Sequence, residues 1–179
     1  MRRLALLVSL VAVFVGLVAV GVRPGAVAQE GTPAAMAGHP LVGTWLLTFP
    51  PESGMAPVLD SFTADGVIVQ TESDGTGANG AWEATGERTA RITIVFLAAD
   101  EAGGLALAGT VRGEIEVDEA GDGFTGSFAT EGTAPDGTVI PFGEGTAQGT
   151  RIEVQGREAM GTPMAGIARI GPPPATPTP

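Results

Sequence analysis

Three carboxylates stand at alternate positions in one run of the chain: Glu114, Glu116 and Asp118. In an extended strand, residues two apart share a face and lie about 6–7 Å from one another. That spacing suits a hard, oxygen-ligated cation or an acid–base pair. It equally describes the solvent wall of a sheet, and the apolar Ile115 and Val117 between these charges favour the wall. Asp118-Glu119 with Asp122-Gly123 lacks the Asp-x-Asp-x-Asp-Gly spacing of a calcium loop and reads as a hairpin turn. His39 is the only histidine, and Cys, Tyr and Lys are absent. Disulfides, thiolate chemistry, cysteine-ligated zinc and Schiff-base chemistry are therefore excluded, and a Ser-His-Asp triad has almost nothing to draw on. His39 itself precedes Pro40 in a stretch of small residues that predicts a flexible segment, a poor setting for a ligand or base. Met36, Met55, Met160 and Met164 fall in irregular segments and would bind a soft metal only by converging. No Gly-rich loop opens a helix, so no phosphate cradle is indicated. No catalytic residue, metal or cofactor is expected.

The charge limits partners in the same way. The net charge of −11 includes Arg2, Arg3 and Arg23, and loss of those three would leave −14. Phosphate backbones and anionic membrane surfaces repel such a chain, so nucleic acid is not an expected partner. A soluble monomer with a solvated acidic surface is expected. The absence of Lys, beside abundant Ala, Gly and Arg, is the compositional mark of a GC-rich bacterial genome.

The two ends have their own style. Residues 1–28 carry a basic start at Arg2-Arg3, an apolar run over 4–22, and a small-x-small exit at Ala26-Val27-Ala28. That is the pattern of a secretory signal cleaved before Gln29. The apolar run is also long enough to span a bilayer, so an uncleaved anchor is the competing reading. Both place the domain outside the cytoplasm, secreted or membrane-anchored. Residues 29–40 read as a flexible linker and 156–179 as a disordered tail rich in Pro and Gly.

Between them, residues 41–155 alternate with period two. Gly43, Trp45, Leu47 and Phe49 share a face. Ala90, Ile92, Ile94, Phe96 and Ala98 form a second series, and Leu107, Gly109, Val111, Gly113, Ile115 and Val117 a third. Asp65-Gly66, Asp74-Gly75, Asn79-Gly80, Gly103-Gly104, Asp122-Gly123 and Asp136-Gly137 supply turns. About eight strands follow: 42–49, 57–63, 67–72, 80–85, 89–98, 105–118, 123–132 and 143–155. Short, even connections predict nearest-neighbour pairing in an all-β, antiparallel up-and-down meander. An open sheet of that size leaves two edges and a bare apolar face, so closure into a small barrel is expected.

Gly43-Thr44-Trp45 on the first strand, with Arg151 in Gly149-Thr150-Arg151-Ile152 near the end, resembles the lipocalin and calycin superfamily. Phe62-x-x-Asp65-Gly66, Gly80-x-Trp82, Arg112-Gly113 and Phe124-x-Gly126 are similar to features of small secreted bacterial lipocalin-like proteins. The resemblance implies a barrel whose floor is closed by Trp45, with Arg151 packed over it. The residues alone leave Arg151 a second reading, because it alternates out of phase with Ile152 and Val154 and so could face solvent.

Trp45, Phe62, Trp82, Phe96, Phe124 and Phe128 are the expected core or ligand-lining residues. Thr71, Thr146, Gln148 and Thr150 are expected to point inward beside them. A barrel of this size either fills with side chains or keeps one cavity, and composition does not decide which. The leading functional expectation is non-catalytic binding of a small apolar or amphipathic molecule. A filled scaffold without ligand is the alternative. A barrel isomerase or cyclase is a minor one; it would need a buried carboxylate, with Glu72, Glu83 and Glu144 as the candidates.

Overall fold

The computed structural model describes residues 36–163. The leader over 1–28, including the apolar run 4–22, lies outside them, as do linker residues 29–35 and tail residues 164–179. The described chain forms a closed barrel of eight antiparallel strands in sequence order. These are β1 (Gly43–Thr48), β2 (Val58–Phe62), β3 (Val67–Glu72), β4 (Gly77–Ala84), β5 (Thr89–Ala99), β6 (Leu105–Val117), β7 (Gly123–Thr133) and β8 (Val139–Arg151). Each strand pairs with the next, and β8 returns to β1 through Trp45↔Arg151 and Leu47↔Gly149. Closure removes both edges, so every strand is hydrogen-bonded on two sides.

The hydrophobic alternation explains which residues face in. Along β5, Ala90, Ile92 and Ile94 are buried while Arg91, Thr93 and Val95 are exposed. Along β6, Ile115 and Val117 are buried, and Glu114, Glu116 and Asp118 stand outside, as the solvent-wall reading expected. The outer wall carries ion pairs between neighbouring strands, Arg112–Glu131 at 2.6 Å and Arg91–Glu83 at 3.4 Å. Both are exposed, so each contributes about 0–1 kcal/mol.

Turn chemistry sets the connections. At Asp74-Gly75 the glycine takes φ 88°, and the Asp74 carboxylate accepts the Thr76 N–H at 2.8 Å. Asn79-Gly80 is not a turn: β4 begins at Gly77 and runs through both residues. Their pairing explains why. Gly80 lies between Ile68 and Ile94, where a Cβ would sit 2.9 Å from the Ile94 Cα, so packing rather than turning uses this glycine. The last strand also differs from expectation, ending at Arg151 rather than 155 and starting earlier, at Val139.

Residues 36–40, expected within a flexible linker, are instead part of the barrel's base. Met36 and His39 are buried and Leu41 is fully enclosed. The segment turns back on itself through His39 N–H to the Met36 carbonyl and Val42 N–H to the His39 carbonyl. At the other end of the described chain, Arg157–Ala159 forms a single 3-10 turn.

Candidate functional site

The two ends of the barrel differ. At the base, Trp45, Phe62, Ile68, Trp82 and Val117 form a layer with almost no solvent exposure. Both indole N–H groups are satisfied, Trp45 by the Leu41 carbonyl at 2.8 Å and Trp82 by the Thr63 carbonyl at 2.9 Å. Aromatic contacts knit the layer together: Trp45–Phe124 at 5.0 Å, Phe62–Trp82 at 6.2 Å and Phe62–Phe124 at 6.4 Å. Separations and tilts of this kind are the favourable ones for aromatic pairs.

Arg151 locks this floor. Its guanidinium carbon stands 4.2 Å from the Trp45 ring centroid. Its Nε donates to the Gly121 carbonyl at 2.6 Å, Nη1 to the Val42 carbonyl at 2.9 Å, and Nη2 to the Pro40 carbonyl. The side chain therefore faces the floor, not solvent. The apparent phase conflict vanishes because Ile152 and Val154 lie beyond the strand. Gly43 completes the arrangement. It adopts φ 141°, and a Cβ there would lie 2.6 Å from Arg151 Nη1. The glycine, tryptophan and arginine are thus one steric unit.

His39 belongs to the same floor. Its Nδ1 accepts the Leu41 N–H at 3.1 Å and its ring stands 5.4 Å from Trp82. Nε2 is buried with no hydrogen-bond partner among the described residues. Burial holds the pKa below its ordinary value, outweighing the opposite pull of the nearby Gly86 and Thr89 backbone. The flexible setting expected for His39 is replaced by a packed, structural one.

Above the floor lies a cavity of about 360 Å³. Leu47, Val58, Ile92, Ile94, Ile115 and Phe124 form its deeper wall, and Phe49, Met55, Ala56, Glu72, Ser73 and Phe96 surround the mouth. The volume falls at the small end of ligand cavities, about 300–1,000 Å³. Small residues on β6 to β8 leave this room. Gly145 faces the ring of Phe128, whose Cζ would lie 2.6 Å from an added Cβ, and Gly149 backs onto Phe124 in the same way. The inward phase of β8 is accordingly Gly145, Ala147, Gly149 and Arg151. Thr146 and Gln148 are exposed and Thr150 is half-buried, so the expected inward set is displaced by one residue. On β3, Thr71 is likewise exposed, and Gln70 and Glu72 line the cavity instead.

The structure divides the expected aromatic residues. Trp45, Phe62 and Trp82 belong to the floor, Phe96 and Phe128 to the cavity wall, and Phe124 to both. Of the three carboxylates considered for acid–base chemistry, Glu72 lines the mouth, Glu83 pairs with Arg91 and Glu144 is exposed.

The residue that sequence reasoning missed is Asp60. It lines the cavity near the floor, is fully buried, and neither carboxylate oxygen has a hydrogen-bond partner among the described residues. Burial alone pushes its pKa up to about 7. Its neighbours across the strands are Trp45 on β1 and Gln70 on β3. The signal was present in the alternation Val58-x-Asp60-x-Phe62, which places Asp60 in phase with two core residues. Among the described residues, no cluster of three or more His, Cys, Asp or Glu could hold a metal ion. No family model, curated protein or solved structure matches the chain.

Proposed function

We propose that this protein is an extracytoplasmic, lipocalin-like barrel that binds a small apolar or amphipathic molecule without transforming it. The single observation that carries this reading is the cavity of about 360 Å³, closed below by aromatic rings and walled by aliphatic and phenyl groups. Transfer of an apolar ligand into such a wall gains about 25 cal/mol per Å² of surface removed from water. Affinity then follows from area, while Asp60 and Gln70 fix orientation. The lipocalin likeness is supported by the unit of Gly43, Trp45 and Arg151 and by the sequential eight-strand closure. The extracytoplasmic location is supported by the pattern of residues 1–28. The cavity also favours a binder over a filled scaffold.

Native mass spectrometry of the full chain, purified and then exposed to a lipid extract, tests this reading. A discrete mass excess that disappears on denaturation is expected. A clean apo mass, with no uptake, would overturn it in favour of the filled scaffold.

One observation favours a second reading, the barrel isomerase or cyclase. Asp60 is a buried carboxyl titrating near neutrality inside an apolar cavity, the condition that suits a general acid or base. Recovery of the captured molecule chemically unchanged after prolonged incubation would count against turnover.

A further inference from the structure

We propose that the ligand preferred by this cavity is an organic cation, a protonated amine on an apolar body, with its ammonium group held by the Asp60 carboxylate at the cavity floor. The inference rests on the binding reading above and adds the charge of the ligand to it. Asp60 has no solvent exposure, and both its oxygens lack a partner among the described residues. A buried carboxylate in that state has lost its hydration without replacement. The described residues around it offer none. The inward-facing charged residues lining the cavity are Asp60 and Glu72, both acidic. On β3, Gln70 opposite Asp60 is neutral, and on β1 its neighbour is Trp45. Arg151, which pairs with Trp45 from the other side of β1, has its guanidinium committed to the carbonyls of Gly121, Val42 and Pro40.

An ammonium group supplies what is missing. It carries three donors and no acceptor, so it can satisfy both Asp60 oxygens through charge-assisted bonds of about 2.7–2.9 Å. Phe124 and Phe128 line the same cavity, and their ring faces attract cations. The apolar body then lies along Ile92, Ile94 and Leu47 toward the mouth, where Glu72 adds further negative potential. A fatty carboxylate of equal length meets the opposite situation. It would bring a second negative charge beside an unsolvated one, with no Arg or Lys among the described lining residues to receive it.

Calorimetric titration of the full chain with octylammonium, octanol and octanoate, each below its micellar concentration, separates the possibilities. Octylammonium is expected to bind at least tenfold more tightly than octanol, and octanoate more weakly than either. Asp60→Asn is expected to bring octylammonium and octanol within about threefold of each other. Because burial raises the Asp60 pKa to about 7, octylammonium binding to the unmodified chain is expected to be about thirtyfold weaker at pH 5.5 than at pH 8. Octanol binding without an ammonium preference would overturn the inference and leave the cavity reading standing. Binding of none of the three would overturn both. Octanoate binding as tightly as octylammonium would overturn the inference even if Asp60→Asn failed to fold.

Discussion

Replacing Asp60 with Asn should make the barrel more stable, and the gain should depend on pH in a defined way. The carboxyl pKa is 3.8 as an ordinary side chain and about 7 in the fold. Between those values the folded state holds a proton that the unfolded state has released. Stability therefore falls as pH rises, by about 1.36 kcal/mol for each pH unit crossed. Below the ordinary value both states are protonated and there is no penalty. Above about pH 7 the penalty is complete, on the order of 4 kcal/mol. The substituted amide would carry no charge but would be left poorly paired, at a pH-independent cost of about 1–3 kcal/mol. A protonated Asp60 bears the same pairing cost, so Asp60→Asn should be close to neutral at pH 4 and stabilising by about 3–4 kcal/mol at pH 8. Urea denaturation of both proteins across this range measures the difference. Emission from the buried Trp45 and Trp82 reports the transition. Carboxylates whose pKa values are lowered by bonds to Thr76 and Thr138, namely Asp74 and Asp136, act in both proteins and cancel in the comparison. A stability difference that is the same at pH 4 and pH 8 would refute the burial argument.

Three further outcomes follow from the floor and the wall. Arg151→Ala should lower stability by about 3–5 kcal/mol, because it strips the Trp45 ring and leaves three carbonyls without their donor; Arg151→Lys should recover little of it in thermal denaturation, since one ammonium cannot reproduce the planar fork. Gly43→Ala should cost about 1–3 kcal/mol, through its φ of 141° and the approach to Arg151, and a double variant with Arg151→Ala should show the two losses to be less than additive. Val111→Phe, at a half-buried wall position, should fill the cavity and weaken octanol binding at least tenfold with the far-ultraviolet circular dichroism unchanged.

The strands and their order were legible because alternation and turn chemistry agree over most of the chain. β3 runs over Val67–Glu72, the range its period-two pattern predicts, and β5 differs by one residue at one end. Asn79-Gly80 misled because a glycine demanded by packing looks the same in sequence as one demanded by a turn. The inward phase of β8 was hidden for a related reason. Its inner residues are Gly145, Ala147 and Gly149, which carry no hydrophobic signature, and their smallness matters only against Phe128 and Phe124 on β7. Arg151 was ambiguous until the strand's end was fixed. The candidate site was the least legible part. Asp60 stood in phase with Val58 and Phe62, but charge alone marks a residue as exterior, and only the closed barrel shows it enclosed. The burial of His39 was equally inaccessible, since it depends on residues 36–41 folding under Trp82.

The unpartnered state of Asp60 leads to one last measurable consequence. Nothing in the alternation of β2 calls for a charge at this position, and an apolar residue beside Val58 and Phe62 would remove the penalty described above. The partner that the described chain withholds is, at neutral pH, either a proton or the ligand's cation, and the two exclude one another at the same oxygens. With a pKa of about 7, Asp60 is half protonated at pH 7, so capture of octylammonium should release about half a proton. The release should approach one proton near pH 5.5 and vanish near pH 9. Titrations in buffers of different ionisation enthalpy read this number directly, because the observed heat changes in proportion to the protons transferred. Octanol, which needs no carboxylate, should release none. An octylammonium titration at pH 5.5 whose heat is indifferent to the buffer would show that the ammonium group does not reach Asp60, however tightly the apolar body binds.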